Sequence, residues 1–174
     1  NSKGDNMILL DFSSIAMSAM FPRIEEFDED RDLIRHTMIN IIRKYIKDIS
    51  SETKDIETYI FVRDRLTKYK MAIDIKSMPL KNKLVEVNTV LKFEDKEDVS
   101  KKSYFEMTFA TIVKISEEVK AKEEFEKILL CDVQIKIYPD IEKSFLNLLH
   151  NSGYTGFQLE NKIDFQELYN NRHK

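Results

Sequence analysis

The first apolar block of the chain is MILLD, residues 7–11, a short run closed by the carboxylate of Asp11. A continuous run of this kind predicts a buried parallel strand that delivers its last residue to the C-terminal edge of a sheet. Ser13 and Ser14 lead into IAMSAMF, small and apolar, which reads as a short helix, and the acidic stretch FPRIEEFDEDR reads as a loop. Asp30 or Asp32 is placed to cap a longer helix, whose exposed N–H groups favour a carboxylate. Over residues 33–49, Leu33, Ile34, Met38, Ile41, Ile42, Tyr45, Ile46 and Ile49 recur at steps of three and four, the stripe of an amphipathic helix. After the polar turn SSETKD, the aromatic and β-branched run TYIFV (58–62) predicts a second buried strand, followed at once by Arg63 and Asp64. Strand, helix and strand with a carboxylate at each strand exit form a βαβ unit, whose ligand site lies beyond the C-terminal strand ends.

The second half has a less regular pattern. Residues 65–83 are basic, LVEVNTVLKF (84–93) has a β pattern, and EDKEDVSKK is a charged loop. Residues 104–122 read as a helix, although the first half is β-branched enough to be a strand. KILLCDVQIKI (127–137) reads as a strand stopped by Pro139. IEKSFLNLL (141–149) reads as a helix closed by Asn151, Ser152 and Gly153. A short strand over 157–159 and a last helix starting at Phe165 complete the reading.

Composition narrows the class without naming a function. The chain has 174 residues, enough for one domain with its own core, and 42% apolar residues with three Gly and three Pro fit an ordered fold. Residues 1–6, NSKGDN, read as a tag or disordered lead before a single domain over 7–174. The single Cys131 excludes an intramolecular disulfide and a cysteine-only zinc site, and fits a reducing, intracellular setting. No apolar run reaches the ~18–20 residues that span a bilayer. A net charge of −3 argues against a broadly basic nucleic-acid binder, although binding depends on where the charge sits.

The run LLDFSSIAMS, followed by DLIRH and IFVRD, resembles the N-terminus of phage ribonuclease H in the flap-endonuclease (5′ nuclease) family, most strongly over residues 7–64. Further along, RLTKYK and LKNK stand where that family has a basic, aromatic segment. ISEEVKAK, KILLCDVQIKI and YPDIEKSFLNLL follow its order of helix, strand and acidic motif, and QLENKIDFQEL stands where it has paired aspartates. The resemblance implies an α/β fold, a central mostly parallel sheet flanked by helices, of 5′ nuclease or PIN type. It also implies that Asp11, Asp64, Asp140 and Asp164 converge as catalytic and metal-binding groups. Hard Mg²⁺ or Mn²⁺ ions would be their partners, activating water against a phosphodiester. Glu142 and Glu160 are possible supplements. Arg63, Arg65, Lys68, Lys70, Lys81 and Lys83 would contact phosphates, with Tyr69 stacking on a base.

Two departures bear on activity. The third motif is reduced to YPDIE and the fourth to NKIDF, and there is no room for the family's C-terminal DNA-gripping region. Each aspartate also has an ordinary structural use as a cap or turn residue, or in Asp64 as a partner of Arg63 or Arg65. His36 and His150 read as structural and Cys131 as core. The leading expectation is therefore a degenerate phage nuclease of DNA replication, a pseudoenzyme in the host-cell cytoplasm that binds nucleic acid or a phage or host protein. The alternative is an active metal-dependent nuclease core. A second alternative comes from another class: the C-terminal run YPDIEKSFLNLLHNSGYTGFQLENKIDFQELY is similar in rhythm to the SecB-type export chaperone. On that reading the protein is a holdase in which residues 84–93, 103–115 and 127–137 form neighbouring antiparallel strands.

Overall fold

In a computed structural model, which describes residues 8–11 (backbone only), 38–159 and 163–172, five strands form one sheet in the order β1-β3-β4-β5-β2. The strands are β1 (Ile8–Asp11), β2 (Ile39–Glu52), β3 (Lys70–Pro79), β4 (Leu84–Glu94) and β5 (Tyr104–Ile115). Helix α1 (Ile56–Arg65) joins β2 to β3; α2 (Lys122–Lys127) continues through a π-helical turn, Ile128–Asp132, into α3 (Val133–Asn151). Helix α4 (Phe165–Asn170) follows.

The expected parallel sheet is not found. β3–β4, β4–β5 and β5–β2 are all antiparallel, and only the short β1 runs parallel, against β3. This topology overturns the 5′ nuclease or PIN-like class, in which parallel strands are joined by helical crossovers. Within the second alternative, β4 and β5 are indeed antiparallel neighbours, with Leu91 opposite Met107 and Phe93 opposite Phe105. The third strand of that reading, over 127–137, is helical instead.

The elements misread from sequence have specific physical causes. The predicted helix over 33–49 is strand β2 from Ile39 onward. Two bulges, between Ile41 and Arg43 and between Ile46 and Asp48, each insert one extra residue against β5. Ile39, Ile41, Ile46 and Ile49 then oppose Ile115, Val113, Phe109 and Met107, residues of one face of β5. Two insertions in a period of two imitate the three-and-four spacing of a helix. The part of that reading before Met38, with the helix over IAMSAMF, the caps at Asp30 or Asp32 and His36, lies outside the described residues.

The predicted strand at 58–62 is the middle of α1. Asp55 caps it by accepting a 2.8 Å hydrogen bond from the Thr58 amide, and Thr58, Val62 and Leu66 form its buried stripe at steps of four. Residues 104–115 alternate apart from the buried Ala110, with Phe105, Met107, Phe109, Thr111, Val113 and Ile115 buried on one face, and form β5 rather than a helix. Residues 127–137 read as a strand because they are apolar on every side, which is also the signature of a helix buried all round. All five residues of the π turn are buried. Pro139 lies inside α3 and does not end an element. Residues 157–159 form no strand, whereas the end of α3 near Gly153 (φ 101°) and the helix at Phe165 are as read.

The core lies between one face of the sheet and the α2–α3 helix. Met71, Ile73 and Ile75 of β3, Val85, Val87, Leu91 and Phe93 of β4 and the alternating β5 residues meet Ile137, Ile141, Phe145 and Leu149 of α3. Spacing of these last four at steps of four fixes which side of α3 faces the sheet. Phe93 packs edge-on to Phe145 with ring centroids 5.8 Å apart. Lys44 of β2 and Asp140 of α3 form an ion pair at 2.5 Å, and Ser51 and Ser152 share a 3.0 Å hydrogen bond, so α3 runs alongside β2 in the same direction.

Candidate functional site

Two surface features stand out, and both belong to the β2–α1–α3 end of the molecule. The first is a hollow of about 340 Å³ between α1 and the turn that follows α3, lined by Tyr59, Arg63, Leu66, Tyr154, Thr155 and Phe157 among others. Tyr59 stacks on Tyr154 at 5.1 Å and 26° between planes, and its phenol donates to the Gly153 carbonyl at 2.7 Å. Behind this wall, Tyr154 meets Phe105 edge-on at 5.8 Å, and Phe157 packs on Phe93 at 5.5 Å. The hollow is therefore an opening in the aromatic core rather than a groove in a polar surface. Arg63 adds a cation to its rim.

A buried polar network holds this wall. The Tyr69 phenol donates to the Ser103 carbonyl (3.0 Å) and accepts from the Ser103 amide (3.1 Å). The Ser103 hydroxyl lies 2.7 Å from that of Thr53 and 3.4 Å from that of Tyr154. Burial pushes the Tyr69 phenol up to about 12, so it stays protonated and able to donate at any physiological pH. Below the network, Arg65 spans the β4–β5 connection, bonding Asp95 through Nε at 2.9 Å and Glu97 through Nη2 at 2.7 Å.

The second feature is β2 itself. It is a 14-residue edge strand, and Tyr45, Ile46 and Ile49 are each 44% exposed. Its outer edge has no strand partner among the described residues. Ile46 and Ile49 oppose core-facing residues of β5, so they extend the core face beyond the cover of α3. On the other face, Tyr45 and Lys47 both bond to the buried Glu86 carboxylate, at 3.1 and 3.0 Å, and the Tyr45 phenol is held above its ordinary range by the hydrogen bond to Glu86. Exposed apolar side chains beside backbone groups without a strand partner among the described residues are what edge strands normally avoid, which makes this face a candidate for contact with another chain.

The sequence-derived aspartates are distributed over separate elements. The backbone of Asp11 ends β1. Asp64 is exposed near the end of α1 and pairs with Arg63 at 3.4 Å. Asp140 pairs with Lys44 in the middle of α3, and Asp164 caps α4 by accepting from the Glu167 amide at 3.0 Å. Among the described residues no three or more His, Cys, Asp or Glu side chains are grouped as a metal requires. Glu142 is half-buried on α3, and Glu160 lies outside the described residues. The basic stretch is divided as well: Arg63 lines the hollow, Arg65 is tied to Asp95, Lys68 follows α1, and Lys70 starts β3. Lys81 and Lys83 lie in the β3–β4 turn, where Lys83 pairs with Glu117, and Tyr69 is fully buried. Sequence reasoning missed the hollow and the exposed β2 face. The aromatic spacing Tyr59, Tyr154 and Phe157 and the isoleucine density of β2 were the available signals.

No helix among the described residues is long and apolar enough to cross a membrane. Residues 34–174 match the family model described as "Preprotein translocase subunit SecB". A "Putative protein-export protein SecB" of Pelagibacter ubique (strain HTCC1062) is 58% identical over 132 residues, covering 76% of this chain and 94% of that protein. Among solved structures, a Mycobacterium tuberculosis SecB-like chaperone in complex with a ChAD peptide from the HigA1 antitoxin superposes with a TM-score of 0.56. That match covers 78% of this chain and all of the other at 14% identity, and so speaks for the fold alone. These matches overturn the resemblance to phage ribonuclease H and the flap endonucleases, and with it the assignment to phage DNA replication. The family match spans most of the chain and a relative shares more than half its residues, so the chain belongs to the SecB family.

Proposed function

We propose that this protein is a SecB-type holdase, which keeps non-native polypeptides unfolded by binding their extended apolar segments. The observation that carries the reading is the exposure of Tyr45, Ile46 and Ile49 on one long strand that has an open edge among the described residues. An extended segment has two kinds of partner there. Backbone groups of β2 offer strand addition, which is indifferent to sequence, while the aromatic hollow beside Tyr59, Tyr154 and Phe157 accepts a large apolar side chain. Indifference to sequence with a preference for apolar, unfolded chain is the specificity a holdase requires. Arg63 at the rim favours segments that are not strongly basic. The partner is a protein, in keeping with the export role in the name of the Pelagibacter relative, and the compartment that fits the role is the cytoplasm.

The test is suppression of aggregation. A chemically unfolded enzyme diluted into buffer scatters light as it aggregates, and the wild-type protein at equimolar concentration holds the signal down. Ile46→Asp combined with Ile49→Asp places charge on two half-exposed strand positions, at a folding cost of about 1 kcal/mol per site. It is expected to weaken client binding at least tenfold. Wild-type protein that leaves aggregation unchanged would end the holdase reading.

A further inference from the structure

We infer that the outer edge of β3 is a second strand-docking site, and that its resident is a displaceable strand of this same chain, Ile8–Asp11. β1 pairs in parallel with β3 through four residues only, Ile8 with Met71, Leu9 with Ala72, Leu10 with Ile73 and Asp11 with Asp74. The match to the SecB family begins at residue 34, so β1 lies outside the part of the chain it covers. The other four strands pair with one another in an unbroken antiparallel run to which β1 is an addition.

Three features make this strand exchangeable. Parallel pairing is less stable per residue than antiparallel pairing, and four residues give few bonds. β1 has no turn connecting it to β3: β2 and α1 come between them in the chain. Beyond Asp74 the edge of β3 continues over residues 75–79 with no strand partner among the described residues, and Met78 there is 48% exposed. An incoming segment can therefore begin pairing on the open part and advance as β1 leaves. The resident sequence, MILLD, is a short apolar stretch without Gly or Pro, which is the kind of segment a strand-accepting edge recognises through its backbone.

The tether sets a threshold. A strand linked in the same chain has an effective concentration on the order of millimolar. A free segment of equal intrinsic affinity at micromolar concentration is then outcompeted roughly a thousandfold, so the edge stays closed to weak binders and opens to long or strongly apolar ones. That the displacing segment is a non-native polypeptide rests on the holdase reading; the docking of β1 does not.

The experiment uses the full chain and a fluorescein-labelled peptide of residues 7–12, MILLDF, followed by anisotropy. Leu9→Pro removes a strand N–H and fixes φ, so it releases β1 without altering β3. The peptide is expected to bind the Leu9→Pro protein at least 100-fold more tightly than wild type, and to protect the amides of residues 71–74 from hydrogen exchange. Equal affinity for the two proteins, or protection at another site, would overturn the inference. A second variant guards against misfolding of the first. Leu9→Cys with Ala72→Cys, oxidised, bridges a directly paired position and holds β1 in place. In wild type, residues 71–74 are expected to exchange faster than the β4 interior, and the bridge is expected to remove that difference. Unchanged exchange in the bridged protein would also overturn it. Failure of the holdase reading would appear separately, as aggregation that none of these proteins suppresses.

Discussion

The Tyr59 phenol donates a 2.7 Å hydrogen bond to the carbonyl of Gly153, and its ring lies where a side chain at residue 153 would have to be. A Cβ built on Gly153 falls 2.6 Å from Tyr59 Cε2, and the backbone there has φ of 101°, open to glycine and strained for other residues. Two requirements therefore meet at one residue: α3 must end in a conformation that only glycine adopts freely, and α1 must come close enough to close the aromatic wall. Gly153 thus joins the cap of one helix to the position of another.

Gly153→Ala is expected to destabilise the fold by about 1–3 kcal/mol from backbone strain alone, with a further loss from displacing Tyr59. The two parts separate in a double-mutant cycle read by denaturant unfolding. Tyr59→Ala removes the clash, so Gly153→Ala should cost less in that background, leaving the backbone share. A Gly153→Ala protein as stable as wild type would show that the turn after α3 adopts another conformation.

Acid is expected to loosen the β4–β5 connection before the rest of the sheet. Burial alone would raise the Asp95 carboxyl, but the Arg65 hydrogen bond and the Glu97 amide outweigh it and hold Asp95 below the ordinary carboxylate range. The hydrogen bond from Arg65 also lowers Glu97, and the one to Asp95, with that to Glu97, raises the guanidinium. A carboxylate depressed in the folded state contributes stability that is fully present above its unfolded value, near 4, and is lost as pH falls through the folded value. Thermal melting followed from pH 7 to pH 2 should therefore decline below about pH 4. Asp95→Asn should flatten the decline and lower the melting temperature at pH 7 by several degrees. Glu97→Gln should do much less, because Glu97 is 63% exposed whereas Asp95 is 2% exposed. Equal effects of the two substitutions would refute this ranking.

How much was legible in the sequence depends on whether local pattern and tertiary environment agreed. β4 and the later part of α3 were readable because β-branched residues are dense in the first and a step of four runs undisturbed through the second. β2 was not, because its two bulges turn a strand's period into a helix's. Residues 127–137 were not, because complete burial erases the polar face that would identify a helix. The capping Asp55 was a readable signal for α1 that the aromatic run TYIFV outweighed. The candidate site was harder still, since Tyr59 and Tyr154 meet only through the fold. The similarity of the C-terminal run to the SecB chaperones was the one feature of the sequence that pointed to the correct family, and it did so through the α3–α4 region rather than through the opening strand.

The same α2–α3 helix provides the last prediction. Gln134, fully buried just after the π turn, donates to the Leu129 carbonyl at 3.1 Å and accepts from the Thr89 hydroxyl of β4 at 2.9 Å. A π turn shifts the helical bonding pattern by one residue, and the Gln134 side chain supplies a donor to a carbonyl within it. Gln134→Leu fills similar space but strands both the Leu129 carbonyl and the Thr89 hydroxyl, at a cost of about 1–3 kcal/mol for each buried group left unpaired. Thr89→Val removes the second of these. The double variant Gln134→Leu, Thr89→Val should therefore be more stable than Gln134→Leu alone, measured by urea unfolding, with a coupling of about 1 kcal/mol or more. Additive losses would mean that Thr89 and Gln134 do not share a bond in solution, and that the π turn is held by packing of Leu129 and Leu130 without this side chain.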